Sequence, residues 1–449
     1  MIGTKAEGET KVKALAMVFL VAALTAACVL LAANPTRADS TFFVNSTKDR
    51  ADESPGDGSC YTGVRIIVED IFIVGECTLR AAIQEANALA GADTINFGIE
   101  STEDPNCDAA TGVCTISPAT ALPAITRPAT IDGYSQGGAS ENTLTQPGKT
   151  NAVLKIELDG TGAGTFPSGL VIDGDDASNS VIRGLVINNF GNHGIYGLDD
   201  NGSVKGVRVE GNFIGTDPSG TSVAANGTGV HFGVADGSTI GGTSPEDRNL
   251  ISGNAGPGVS SFGGGPSYIR IQGNLIGTNR NGGLLGNGAA GVLLPSAARG
   301  NSRILSNSIY SNNGIGIDLV GGTENAAGVT LNDPDDPDTG PNTLQNFPGI
   351  SSATTSGGST TIKGALNSTP DRTFTIQFFA SPAPDSSGFG EGKTFIGQRN
   401  VTTNLGGNAP FEFVFDPAVP VGRRVTATAT GPGGTSEFSR ARIVVRPAG

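Results

Sequence analysis

Three features of the sequence predict an all-β chain: a right-handed parallel β-helix solenoid with an N-terminal helical cap and a C-terminal β-sandwich. First, glycine is heavily used (68 of 449 residues, with 25 prolines, no tryptophan and 6% aromatics) without any Gly-X-Y period, so a collagen triple helix is excluded. Second, the 37% of hydrophobic residues fall into strand-length, β-branched runs separated by Gly, Asn, Asp and Ser clusters. Third, the runs recur. Gly211-Asn212-Phe213-Ile214-Gly215-Thr216 returns as Gly273-Asn274-Leu275-Ile276-Gly277-Thr278, 62 residues later.

Residues 1–38 read as a signal peptide. Lys5, Lys11 and Lys13 form a positive start, Ala14 to Ala33 is apolar apart from Thr25, and Thr36-Arg37-Ala38 offers small residues for cleavage after Ala38. An uncleaved anchor is the alternative, since the run approaches spanning length; lipidation at Cys28 is disfavoured by the apolar residues that continue past it. The mature chain is expected to be secreted or displayed at the cell surface, without a membrane span. It retains Cys60, Cys77, Cys107 and Cys114, an even number that suits two disulfides in an exported protein. Three pairings are open, and sequential pairing is the most local.

Residues 39–91 form the predicted N-terminal cap. Thr41 to Asn45 alternates weakly as a strand. Leu79, Ala82, Ile83, Ala86 and Leu89 then form an apolar stripe at helical spacing, with Thr78 as N-cap and Gly91 as the stop. A strand stack leaves an apolar end and unpaired edges, and this helix is placed to cover them.

Residues 92–327 form the predicted β-helix, with strands such as Thr94-Ile95-Asn96-Phe97, Leu154 to Leu158, Val181 to Ile187 and Val204 to Val209. Asn192 and Asn254 also stand 62 apart, and Gly191-Asn192 to Gly211-Asn212 is a step of 20. Three coils per 62 residues therefore predict roughly eleven coils. Asn side chains at equivalent corners are expected to hydrogen-bond along the stack. Residues 328–349, with Asn332-Asp333-Pro334-Asp335-Asp336-Pro337-Asp338, form an acidic, Pro-rich linker. Residues 350–449 carry longer alternating strands, including Thr373 to Ala380 and Arg424 to Thr430, and read as an immunoglobulin- or fibronectin-like sandwich.

Cys77-Thr78-Leu79-Arg80-Ala81-Ala82-Ile83-Gln84-Glu85-Ala86-Asn87 resembles the N-terminal motif of exported bacterial "CSLREA" proteins, with Thr78 in place of their Ser and Ala81 in place of their Glu. The Gly-Asn-x-Ile-Gly-Thr segments, Ile240-Gly241-Gly242 and Asn249 to Asn254 are similar to the right-handed β-helix repeats (pectin-lyase-like fold) that follow that motif. Gly388 to Gly392 and Thr426 to Thr430 are similar to the sandwich often appended. The resemblance implies a surface or secreted location and carries no catalytic residues.

The net charge of −14 argues against nucleic-acid binding. The candidates for catalysis are Asp173, Asp175, Asp176 and His193, followed by Arg270-Ile271-Gln272, a set that partly matches polygalacturonase-like hydrolases. The match lacks the terminal Lys, and Arg270 is expected outside contact with His193. A lyase site would pair Arg183 or Arg208 with Asp173–Asp176 and Glu210, though such pairs are commonly surface ion pairs. Asp333, Asp335, Asp336 and Asp338 could hold calcium, although the EF-hand spacing is not met; no other cofactor is expected. The reading is a monomeric, non-catalytic rod that binds an extracellular glycan, envelope component or surface protein. The alternatives are a polysaccharide lyase or glycoside hydrolase, whose mark would be three carboxylates and a basic residue converging on one outer face, and a spacer displaying the sandwich.

Overall fold

The structure, a computed structural model, describes residues 39–68, 72–198, 203–261, 268–298 and 300–447; the leader predicted over residues 1–38 lies outside them. From Val181 onward the chain visits three parallel sheets in strict rotation. The first sheet receives Val181–Arg183, Arg208–Glu210, Thr239–Gly241, Arg270–Gln272 and Arg303–Leu305. The second receives Leu185–Asn188, Phe213–Ile214, Leu250–Ile251, Leu275–Ile276 and Ser308–Ile309; the third runs from His193–Leu198 to Ile317–Leu319. In all they hold eight, seven and six strands.

Aliphatic residues of successive strands lie in register. Ile95, Ile131, Ile182, Val209, Ile240, Ile271 and Ile304 line the first sheet, and Leu158, Ile187, Ile214, Ile251, Ile276 and Ile309 the second. All are buried in one core. Each such side chain contributes about 1.5–3 kcal/mol on leaving water, which is why short β-branched runs suffice.

The period differs from the sequence expectation. Phe213 pairs with Leu250 and Leu250 with Leu275, so 62 residues span two circuits, not three. The 20-residue step joins Asn192, beside the third sheet, to Asn212, beside the second; these are different corners. Two asparagine ladders run along the stack; Asn212 belongs to one of them and Asn192 to neither. In one, the Asn212, Asn249 and Asn274 amides donate to the carbonyl oxygens of Asn249, Asn274 and Asn307 at 3.1, 2.9 and 3.0 Å. In the other, Asn226, Asn254 and Asn287 donate to Asn254, Asn287 and Asn312 at 3.1, 2.9 and 2.9 Å. Each amide also holds a main-chain carbonyl inside the stack, such as Val209 for Asn249 and Ile214 for Asn254. Gly215 and Gly277, with φ of +91° and +87°, sit under the second ladder. A Cβ there would collide with Asn254 or Asn312, so the Gly-Thr of the repeated motif is set by the asparagine of a later circuit.

At the N-terminal side, Thr41–Val44 pairs in parallel with Asp93–Phe97 and becomes the first strand of the first sheet. The helix Leu79–Ala88 packs against both strands, and the Thr78 side chain accepts from the Ala81 N–H as predicted. Leu79, Ala82, Ile83, Ala86 and Leu89 are buried, and the Glu85 carboxylate accepts the Gly56 and Gly58 N–H groups. Disulfides join Cys60 to Cys77 and Cys107 to Cys114.

An unforeseen strap crosses the second sheet. Val186, Phe213, Leu250 and Leu275 form an outward apolar row that Ala152 and Leu154 cover. Buried Arg248 fastens the strap by donating to the carbonyls of Leu144, Gln146 and Lys149 at 2.9, 3.2 and 2.7 Å.

From Gly349 the strands are antiparallel and form a sandwich-like pair of sheets. Gly349–Ser356, Ser359–Asn367 and Asn408–Phe415 make one sheet. Thr394–Thr402, Thr373–Ser381, Arg424–Gly431 and Gly434–Thr435 make the other, with Arg442–Ile443 on its flank. Phe374, Ile376, Phe378 and Phe411 are buried between them. This region joins the end of the parallel stack. Phe379 and Phe438 enter the stack core, and the second asparagine ladder ends on Glu391, which accepts the Asn312 amide at 2.9 Å and the Ser311 and Asn312 N–H groups. Buried Glu437 accepts the N–H groups of Leu319 and Thr330 at 3.0 and 3.1 Å.

Candidate functional site

The residues proposed for catalysis do not meet. Asp173 lies opposite Leu198, five residues along the strand from His193, an offset of roughly 16 Å at the rise of a β-strand. Asp175 is paired with Lys205 at 3.8 Å and Asp176 with Arg127 at 3.5 Å; both carboxylates are exposed. Arg270 belongs to the first sheet and His193 to the third. The His193 ring instead stacks on His231, with centroids 4.6 Å apart, and tilts against Tyr196 at 4.8 Å. Burial, and then the neighbouring His231, lower its pKa to about 4, so the imidazole is neutral at physiological pH. His231 Nδ1 and Ser260 Oγ are 2.6 Å apart.

The acidic run is tied into the chain's own hydrogen bonds. Asp336 accepts from the Gln345 amide at 2.8 Å, the Asn346 N–H at 3.1 Å and the Ser368 hydroxyl. Burial raises its pKa to about 6, and Asp333 and Asp338 add to the rise. The Asp335 N–H donates to Asn367. Among the described residues, no group of three His, Cys, Asp or Glu side chains is placed to hold a metal ion.

Carboxylates do converge on one outer face, around Arg183. Its guanidinium pairs with Asp132 at 3.3 Å and with Glu141, lies 5.3 Å from the centre of the Tyr134 ring, and stands in register with Glu210. These charges largely satisfy one another. Tyr134 donates its hydroxyl to the Gly211 carbonyl at 2.7 Å, and Glu141 opens the strap, so the cluster fastens the strap's base. Arg208 pairs with Glu210 at 3.4 Å, whose pKa is raised by burial.

Farther along the same sheet the pattern changes. Outward positions Arg208, Thr239, Arg270 and Arg303 are in register on successive strands. Arg208 has its carboxylate; among the described residues Arg270 and Arg303 have none, and the Arg270 guanidinium donates to Gln272 at 3.5 Å. Beside them opens a cleft of about 510 Å³, lined from the parallel side by Gln272, Arg303 and Ser306 and from the antiparallel side by Thr375, Gln377 and Gln398. A second cleft of about 230 Å³, with Thr239, Tyr268, Arg270 and Asn301, meets it at Arg303. Tyr268 is 47% exposed and available for stacking.

The cleft wall is built from cross-strand pairs. Thr373 meets Thr402 at 3.0 Å, the Thr375 hydroxyl donates to Asn400 at 2.9 Å, and the Gln377 amide donates to Gln398 at 3.0 Å. Gln377 also accepts the Ser306 N–H at 2.9 Å, which locks it to the parallel side. Amide and hydroxyl groups in one cleft suit sugar hydroxyls, and the exposed aromatic residue of the adjoining cleft suits the apolar face of a pyranose. In the sequence, Arg270-Ile271-Gln272 shows only as part of an incomplete hydrolase match. The available signal was that Arg208-Val209-Glu210 and Arg270-Ile271-Gln272 stand 62 residues apart, one charge-balanced and one not.

No protein-family model matches this sequence, and no curated protein sequence matches it. Among the described residues, no helix is long and apolar enough to cross a membrane.

Proposed function

We propose that the chain is an exported, non-catalytic β-helix protein that recognises a glycan in the cleft between Gln272 and Gln398. The rotation of the chain through three parallel sheets supports a right-handed parallel β-helix closed by the helix at one end and the antiparallel region at the other. Two disulfides support an extracytoplasmic location. The observation that carries the glycan reading is the cleft itself: an open, amide- and hydroxyl-lined groove that adjoins, at Arg303, a second cleft holding an exposed tyrosine. The test is a polysaccharide screen of the chain from Asp39, scored for binding and for product release, with and without calcium. Binding without turnover, weakened about tenfold in Gln272→Ala/Gln398→Ala, is expected. Unaltered binding in that variant would place recognition elsewhere.

One observation favours the enzymatic alternative. Asp132, Glu141 and Glu210 around Arg183 meet the carboxylate-and-base criterion for a lyase or hydrolase of this fold. Release of unsaturated or reducing-end sugars, abolished in Glu210→Gln, would move the assignment to that cluster.

A further inference from the structure

We infer that the cleft selects an anionic glycan, one bearing carboxylate or sulfate groups, through Arg270 and Arg303; this rests on the glycan reading of the same cleft. The two arginines occupy directly opposed outward positions on neighbouring strands, with main chains about 4.8 Å apart. Like charges so placed oppose each other and cost stability. Elsewhere on this face the chain neutralises its arginines: Arg183 has Asp132 and Glu141, and Arg208 has Glu210. At Arg270 and Arg303, in a chain of net charge −14, it supplies no carboxylate among the described residues.

Both side chains are exposed and line adjoining clefts, with Arg303 common to the two. Guanidinium groups present paired N–H donors that match the two oxygens of a carboxylate or sulfate. An oligosaccharide lying from Tyr268 to Gln398 would set an acidic substituent between the arginines, while its hydroxyls meet Gln272, Thr375 and Gln398.

Binding of dextran, carboxymethyl-dextran and dextran sulfate of matched length to the full mature chain tests the inference, since the three share one backbone. Both anionic polymers are expected to bind, to weaken as salt rises, and to lose at least about tenfold in affinity in Arg270→Gln/Arg303→Gln. The control variant Arg65→Gln/Arg446→Gln, at exposed positions outside the clefts, is expected to bind as the wild type does. Equal affinity of the Arg270/Arg303 variant and the wild type, or equal affinity for charged and neutral dextran, would overturn the inference. If a neutral polymer binds and depends on Gln272 and Gln398 but not on the arginines, the glycan reading survives and the anionic selection fails. If no polymer binds, and the polysaccharide screen is also silent, both fall.

Discussion

The interior of the parallel stack and its junction with the antiparallel region meet the same requirement by different chemistry. Both must satisfy main-chain groups that water cannot reach. The stack does so with neutral amides, each asparagine bonding to the next and to a carbonyl of an earlier circuit. The junction does so with carboxylates, Glu391 ending one ladder and Glu437 holding Leu319 and Thr330. Amides do not titrate, whereas a carboxylate in a dry site does. Burial raises the pKa of Glu391 to about 7 and of Glu437 to about 8, against the N–H bonds that favour the charged form, and Asp318 and Glu324 raise Glu437 further. The comparison predicts a stack indifferent to alkali and a junction sensitive to it.

The largest expected effect is at the junction. Glu391→Ala leaves the Ser311 and Asn312 N–H groups and the Asn312 amide without their acceptor, at a cost of about 3–6 kcal/mol. Thermal unfolding at pH 6 should show a large loss, with the antiparallel region released first under limited proteolysis. The pH dependence has a definite sign. With folded pKa values above the ordinary 4.5, the stabilisation from keeping these carboxyls protonated is complete below pH 4.5 and is lost as pH rises through 7 and 8. Glu437→Gln, which cannot ionise, should therefore flatten the decline in melting temperature between pH 6 and 9. A wild-type curve already flat over that range would remove the contrast between junction and stack.

A ladder substitution should cost less and should not depend on pH. Asn249→Ala removes the donor to Val209 and Asn274 and the acceptor for Asn212, at about 2–4 kcal/mol. The loss should be the same at pH 6 and pH 9, measured by denaturant unfolding. A loss that changed with pH would mean that this ladder and the junction are energetically one unit, even though only the other ladder runs directly into Glu391.

The same division explains what could be read from the sequence. Repetition makes a pattern visible: the aliphatic rows, the Thr78-capped helix and the asparagine stacking all follow from local spacing. The period is hidden because Gly-Asn steps fall at unlike places in the circuit: Asn212 stands in a ladder and Asn192 does not. Glu391 and Glu437 stood in no repeat, and nothing nearby in sequence announces that they meet Asn312 and Leu319. The cleft was illegible for the same reason. One wall comes from Gln272 and Arg303 and the other from Gln377 and Gln398, so it exists only once the antiparallel sheet meets the stack. Conversely, Asp173 and His193 looked close in sequence and are separated by the length of a strand.

The smallest expected effect lies on the outer face of the stack, and it runs the other way with pH. His193 is held neutral by burial and by the stacked His231, with a pKa of about 4 against the usual 6.5. A depressed histidine contributes stability above pH 6.5 that is lost as pH falls toward 4, since the unfolded chain takes up the proton first. His193→Gln keeps a polar side chain of similar reach but loses the ring contacts with His231 and Tyr196, which costs up to about 1 kcal/mol at pH 8. Between pH 6.5 and 4 the variant should lose less stability than the wild type, so the two unfolding curves converge and then cross on acidification. Curves that stay parallel would show that the stacked pair is indifferent to protonation, and would leave the carboxylates as the groups that set the protein's response to acid.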